Sequence, residues 1–182
     1  MSLLERFDVG DQIPELYINF YGRIAWRFES LQSCLDNLRR GVESGFSSGN
    51  IEMSFFCVIH VIKCTFYTGE NLRSVLKEID HYLKLLAETH TSKLNENFLL
   101  YFRETVSVLI DKGHATGLDK PSSSILSHGS YLGGAALLVQ QSIRAYWSGY
   151  TERCDHFIQK CLPLVGQEGQ FNSYLIKFYH GK

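Results

Sequence analysis

Proline is scarce in this chain, with only three residues among 182. Proline interrupts helices because it lacks a backbone N–H donor, so long stretches without it favour helix. Runs of alternating β-branched residues between glycine-rich turns, which indicate strands, are missing as well. With 45% hydrophobic residues the chain has enough apolar side chains to bury a core. The sequence therefore predicts an all-α fold.

Long runs of one kind of charge or of apolar residues are also missing. The 18 Lys and Arg nearly balance the 19 Asp and Glu, and no basic cluster of the kind that binds nucleic acids or acidic membranes occurs. The longest apolar stretches fall short of the ~18–20 residues of a membrane span. The N-terminus lacks the features of a signal peptide. We therefore expect a cytoplasmic protein with neither a nucleic-acid nor a membrane partner.

Cysteine occurs in an odd number and without the spacing of a disulfide framework. The five residues are Cys34, Cys57, Cys64, Cys154 and Cys161. Because no export signal is evident, we expect reduced thiols that are buried as small apolar side chains.

Apolar residues recur at helical spacing along most of the chain. Pro14 suits a helix start and precedes a stripe of Leu16, Tyr17, Phe20 and Ile24. The glycines and serines of "SGFSSGN" are expected to end the helix before them. We predict a single helical-repeat domain over residues 1–182, with one long loop at 114–129. The predicted helix pairs cover about 12–46, 50–88, 93–113 and 130–165, and a last helix covers 170–180.

One sequence pattern, typical of a corner between two helices, occurs twice in the chain. Tyr67-Thr68-Gly69 and Trp147-Ser148-Gly149 each follow an apolar helix and precede an amphipathic one. In both corners the glycine suits a left-handed helix end. Asn50 suits the start of the helix before the first corner, and Asn71 suits the start of the helix after it. A recurring helix pair that cannot bury its own apolar face points to stacked antiparallel hairpins, a short TPR-like α-solenoid. The alternative is an irregular helical bundle.

Part of the chain resembles a known class of proteins. The segment "RRGVESGFSSGNIEMSFFC", the corner "YTGENL" and the later pieces "RAYWSGYTERC" and "FNSYLIKFYHGK" carry the likeness, over roughly residues 20–112 and 131–182. They resemble the TPR-like helical-repeat segment of large multidomain signalling proteins with kinase-like, AAA "predicted ATPase", GAF and histidine-kinase parts. The resemblance implies scaffolding or regulatory coupling in signalling. The catalytic parts of those proteins are missing from this sequence.

Motifs for catalysis are missing or incomplete. The nearest approach to a P-loop, "GHATGLDK" at 113–120, has the wrong spacing to cradle phosphates, and the kinase signatures do not occur. In "SHGSYLGG", His128 stands where a nucleophile elbow needs glycine. We interpret that piece as a loop and helix start with Ser130 as the N-cap. No enzymatic activity and no cofactor are predicted.

One set of residues has the types that bind zinc. Cys57, His60 and Cys64 share a helical face by their spacing, but a fourth ligand is not evident. A packed helix face is the preferred interpretation, and no metal is predicted. Asp80, His81 and Glu104 are interpreted as solvated helix-face residues.

Aromatic residues exceed what a thin helical core needs, and some could line a groove for a partner. Near the C-terminus an apolar stripe is the predicted interaction surface, formed by Phe171, Tyr174, Leu175 and Phe178. We therefore predict a non-catalytic helical-repeat protein that binds a protein partner, either another copy of itself or kinase and ATPase modules. The alternative is a fragment of a larger ATPase or sensor kinase whose catalytic domains lie outside this chain.

Overall fold

The computed structural model describes residues 12–89, 92–111 and 131–163, the side chains of 131–136 excepted. Every regular element in these ranges is helical, so the all-α prediction is confirmed for the described part of the chain. The α-helices are α1 (Ile13–Tyr17), α2 (Leu31–Ser48), α3 (Ile51–Tyr67), α4 (Leu72–Thr89), α5 (Lys93–Ile110), α6 (Tyr131–Trp147) and α7 (Thr151–Cys161). The chain divides into two compact units, Met1–Asn95 and Glu96–Lys182. The prediction of one domain over residues 1–182 stays a prediction.

The core of the first unit is built on α3. Nine of its residues are buried, among them Phe55, Val58 and Ile62. This helix packs against α2 over most of its length, and the apolar stripe of α4 packs against it as well. Apolar side chains cover most of the circumference of α3, which suits this central position.

Side-chain caps fix the helix starts in the first unit. The Ser30 hydroxyl accepts a hydrogen bond from the Ser33 N–H at 3.1 Å at the start of α2. The Asn50 side chain accepts one from the Met53 N–H at 3.4 Å at the start of α3. Asn71 accepts hydrogen bonds from two backbone N–H groups at the start of α4. Both predicted asparagine caps are confirmed, and each satisfies donors that the first turn leaves unpaired.

The end of α2 lies within the predicted segment "SGFSSGN". The helix continues through Gly45 to Ser48 and ends at Gly49, whose φ of 79° is left-handed. Gly45 is buried against α1 and α3, where a Cβ atom would collide with the Ser54 hydroxyl and come within 3.0 Å of Pro14 Cγ. Gly45 therefore serves close helix approach, whereas Gly49 ends the helix.

The segment before α2 is irregular, and most of its apolar stripe is exposed. After α1 the chain makes a π-helical turn, Ile18–Gly22, and a short 3₁₀ helix, Ala25–Arg27. Its buried residues are Pro14, Ile18, Gly22 and Ala25. Of the stripe noted in the sequence, Leu16, Phe20 and Ile24 are exposed and Tyr17 is half-buried. The segment packs against α2 and α3 through its buried residues, so Leu16, Phe20 and Ile24 point outward.

The repeated corner has the backbone conformation that the sequence predicted. Gly69 and Gly149 have φ of 81° and 79°, and no other residue lies within 4 Å of the position that a Cβ atom would take. At the second corner the Tyr150 N–H donates to the Ala145 carbonyl at 2.9 Å, which closes the helix end. A helix, a glycine corner of this type and a second helix thus occur in each unit, and the first unit has a further glycine of positive φ, Gly49, between α2 and α3.

Alanine at either glycine is expected to destabilise its unit by about 1 kcal/mol, because L-residues disfavour this left-handed conformation. Thermal melts of Gly69→Ala and Gly149→Ala, with Glu70→Ala as an exposed control beside the first corner, measure the effect. Unchanged melting temperatures for both glycine variants would contradict the conformational argument.

The second unit is organised around α6. Between residues 137 and 145 every side chain except Leu138 is buried, and α7 packs against this helix. On α7 the buried residues are Cys154, Ile158 and Cys161, whereas Phe157 is only half-buried. Thr151 is the first residue of α7 and not its N-cap. The capping position is Tyr150, whose side chain makes no capping hydrogen bond.

Candidate interaction surfaces

Two exposed apolar surfaces occur in the described residues, one in each unit. The surface predicted from the sequence, Phe171, Tyr174, Leu175 and Phe178, lies outside the described residues and stays a prediction. The two surfaces that the structure reveals were not singled out as sites by the sequence pattern.

The first surface, which we call the N-terminal ridge, is formed by Leu16, Phe20, Ile24 and Phe28. These side chains recur at every fourth residue and are between 44% and 81% exposed. Single exposed apolar side chains are common on protein surfaces, but a row of four on one short segment is not. The ridge is therefore a candidate contact surface.

A row of polar residues, which we call the polar row, runs parallel to the ridge one residue earlier in the chain. It consists of Glu15, Asn19, Arg23 and Arg27, all exposed. No side chain of this row forms an ion pair in the described part of the chain, although the Arg27 guanidinium lies 5.5 Å from the Trp26 ring centroid. The row is acidic at its first residue and basic at its last two.

The second surface, the aromatic corner, surrounds Gly149 in the second unit. Tyr146, Trp147 and Tyr150 are between 42% and 63% exposed. The Tyr146 and Trp147 rings meet edge to face, with 5.7 Å between their centroids, and the Arg153 guanidinium lies 5.6 Å from the Tyr150 ring centroid. Because the helix ends here, three amphipathic rings are presented at one exposed turn.

The potential zinc ligands of α3 do not form a ligand set. The Cys57 thiol donates to the Pro14 carbonyl at 3.5 Å, whereas the His60 ring packs on Gly22, where its Nδ1 would be 2.9 Å from an added Cβ. No group of three His, Cys, Asp or Glu residues suited to a metal ion occurs among the described residues. The preferred interpretation, a packed helix face, agrees with these contacts.

His60 is held in its neutral form. Burial lowers the pKa of His60 to about 3, and the nearby positive charges of Lys63 and Arg23 act in the same direction. Its Nδ1 atom is buried without a hydrogen-bond partner. Burial also lowers the pKa of Lys63 to about 8. Sequence spacing identified His60 as a possible ligand, but its electrostatic surroundings depend on the contact between α3 and the N-terminal segment.

The five cysteines are buried and form no disulfide bonds, as predicted. Burial raises the pKa of Cys57 to about 12 and that of Cys64 and Cys161 to about 11. It also raises the pKa of Cys34 and Cys154. Since the thiolate is the reactive form, these thiols are poor nucleophiles at neutral pH.

A buried arginine in the second unit has no counterpart in the sequence-based predictions. The Arg144 side chain is 4% exposed, and its guanidinium donates to the Glu104 carboxylate at 2.8 Å, where the Glu104 side chain is 43% exposed. Glu104 is thus an ion-pair partner and not simply a solvated residue, which corrects its interpretation. Two polar atoms of α6, Arg144 Nε and Gln140 Oε1, are buried without hydrogen-bond partners.

Removing the two partners of this ion pair is expected to have unequal effects. Glu104→Gln leaves the buried guanidinium uncompensated and should lower the free energy of unfolding by about 2 kcal/mol. Arg144→Met removes the buried charge itself and should change the free energy of unfolding by less than about 1 kcal/mol. Urea unfolding followed by Trp147 fluorescence in a Trp26→Phe background measures both. Equal losses in the two variants would contradict the asymmetry.

Other motifs yield no site. The piece "GHATGLDK" and the first half of "SHGSYLGG", with Ser130, lie outside the described residues, and the second half of "SHGSYLGG" begins α6. Asp80 and His81 are exposed on α4, as predicted. None of the described helices has both the length and the apolar content that a bilayer crossing requires.

No protein-family model matches the chain, and neither a curated protein nor a solved structure matches it.

Proposed function

We propose that this protein is a non-catalytic helical-repeat protein that acts by binding another protein, and that the aromatic corner is the contact site. The observation that carries the proposal is the exposure of Tyr146, Trp147 and Tyr150 around one glycine turn. Tryptophan and tyrosine are enriched in the energetic centres of interfaces because they bury large areas and lose little side-chain entropy.

The rigidity of the aromatic corner supports this role. The corner follows the most buried helix of its unit, and the Tyr150 N–H is hydrogen-bonded to the Ala145 carbonyl. A surface presented from a rigid helix end is already ordered before its partner arrives, which reduces the entropy lost on binding. Buried thiols with raised pKa values support a binding role over thiol chemistry, and cysteines without disulfide bonds support a cytoplasmic location.

The recurrence of the corner supports the finer architecture that we propose. In each unit a 17-residue helix, α3 or α6, ends at a glycine of positive φ and is followed by an amphipathic helix. We interpret the two hairpins as copies of one repeat in a short TPR-like α-solenoid. The resemblance to the helical segments of multidomain sensor kinases and ATPases supports scaffolding or regulatory coupling in signalling.

Capture followed by a direct binding measurement tests the proposal. The intact chain is immobilised, proteins retained from an extract of its own cells are identified, and the best candidate is purified for calorimetry. Trp147→Ser with Tyr150→Ser should weaken binding by about 30-fold or more, as expected for two interface anchors. The matched control, Glu152→Ser with Lys160→Ser, changes exposed residues of α7 and should bind normally. Equal binding by both variants, or no specific binding by the intact chain, would refute the proposal.

A further inference from the structure

We propose that the N-terminal ridge is a self-association surface on which two copies of the chain pack antiparallel about a two-fold axis. In this dimer Glu15 of each copy lies against Arg27 of the other. The inference concerns the first unit and goes beyond the proposed function, which uses the aromatic corner of the second.

The ridge is fixed in its outward orientation by the opposite side of the same segment. Pro14 lies against Gly45, and its carbonyl accepts the Cys57 thiol hydrogen bond at 3.5 Å. Tyr17 Cβ would lie 3.0 Å from a Cβ added at Gly41, and Gly22 lies against the His60 ring. These contacts leave no space for the segment to rotate its large side chains inward. Leu16, Phe20, Ile24 and Phe28 therefore remain available to another molecule.

The charges of the polar row favour a second copy of the chain, over other molecules, as the partner that covers the ridge. In an antiparallel pair about a two-fold axis, each flank of one ridge meets the same flank of the other, because the symmetry makes both sides of the contact identical. The polar row of one copy then meets the polar row of the other in reverse order. Glu15 pairs with Arg27 of the second copy and Asn19 with its Arg23, and symmetry generates each pairing twice.

The apolar contacts fit the same arrangement. Antiparallel alignment sets Leu16 against Phe28 of the second copy and Phe20 against its Ile24, so each contact joins one aromatic and one aliphatic side chain. A parallel arrangement would instead place the polar row against the opposite flank, where Tyr17 and Tyr21 are uncharged and Glu29 already accepts a hydrogen bond from the Ser33 hydroxyl at 2.6 Å. Glu15 would then meet no positive charge. Tyr17 and Tyr21 already contact each other, with 5.4 Å between their ring centroids. Charge complementarity thus favours the antiparallel pair.

The size of the ridge sets the expected affinity. The thirteen residues from Leu16 to Phe28 form α-, π- and 3₁₀-helical turns and extend over about 20 Å, which is at the small end for a specific interface. We therefore expect a reversible dimer that forms in the micromolar range of protein concentration and weakens as salt screens the Glu–Arg pairs.

Charge reversal provides the test. Sedimentation velocity of the intact chain from about 1 μM to about 300 μM should show a monomer–dimer equilibrium. Glu15→Arg and Arg27→Glu each create two repulsive contacts and should weaken self-association by roughly tenfold or more. An equimolar mixture of the two variants restores both opposite-charge pairs and should dimerise again as a heterodimer. Glu88→Arg, an exposed acidic residue on α4, is the control and should dimerise like the unmodified chain.

Three results of the sedimentation experiment would overturn the proposal. These are an intact chain that stays monomeric over the whole concentration range, charge-reversal variants that dimerise normally, and an equimolar mixture that remains monomeric. Phe20→Ser with Phe28→Ser should abolish the dimer while the circular dichroism spectrum stays helical. The same variants are incubated with vesicles of phosphatidylserine and phosphatidylcholine. Vesicle binding by a monomeric chain, lost in the double phenylalanine variant, would make the ridge a membrane-contact face and refute self-association.

Discussion

Replacing Gly45 by valine should lower the free energy of unfolding of the first unit by about 3 kcal/mol. Gly45 lies at the closest approach of α2 to both α1 and α3. An added Cβ would collide with the Ser54 hydroxyl and lie 3.0 Å from Pro14 Cγ and 3.2 Å from Ser54 Cβ. The Ser54 hydroxyl is itself bonded to the Asn50 carbonyl at 2.8 Å. Valine adds two further methyl groups to a space that is already filled, so the helices must separate.

Urea unfolding in a Trp147→Phe background isolates this effect, because Trp26 is then the only tryptophan and lies in the first unit. Ser47→Val places the same side chain at an exposed position of α2 and should change stability by less than about 0.5 kcal/mol. Gly45→Ala should be milder, and Ser54→Ala should partly rescue it by removing the colliding oxygen. Wild-type stability of Gly45→Val would show that the three helices are not in close contact at this point.

Acidification should destabilise the first unit through His60. The folded-state pKa of His60 is lowered to about 3, chiefly by burial, from an ordinary value of 6.5. Between these two values the unfolded chain binds a proton that the folded chain does not, so stability falls as pH falls below about 6.5. From pH 7 to about pH 4 the loss amounts to about 3 kcal/mol. Lys63, whose pKa burial lowers to about 8, remains charged below pH 7 and adds little to the change.

The variant His60→Phe keeps a ring against Gly22 and removes the titrating group. Its stability relative to the unmodified chain should rise by about 3 kcal/mol from pH 7 to about pH 4, because all other groups titrate in both proteins. His81→Gln, at an exposed position of α4, should show no such pH-dependent difference. A constant difference between the His60→Phe and unmodified chains at every pH would mean that His60 is accessible to protons in the folded state.

Local sequence signals predicted the helices and their ends well. Asn50 and Asn71 cap the helices that follow them, and Gly69 and Gly149 take positive φ at the two corners. A cap depends on a side chain and the backbone within three residues of it, and a left-handed helix end depends on the absence of a Cβ atom. Such features are properties of a few neighbouring residues and can be inferred without the fold.

The candidate surfaces were less predictable than the elements that carry them. The aromatic content of the sequence indicated contact surfaces, but not that Leu16, Phe20 and Ile24 would face outward. Their helical spacing describes one face of a segment and does not say which face is buried. The prediction assigned the interaction surface to the C-terminal stripe, which lies outside the described residues, so the two surfaces are additions and not replacements.

By itself the sequence determined helices with side-chain caps, a recurring glycine corner and buried cysteines without disulfide bonds in the described part of the chain. Only the tertiary structure decided that Gly41 and Gly45 lie at close helix contacts, that Arg144 is buried against Glu104, and that the N-terminal segment turns its ridge outward. The reason is the range of the interactions. Caps and corners act within one or two turns, whereas close helix approach, ion-pair burial and surface orientation depend on residues that are distant in the chain and meet only after folding.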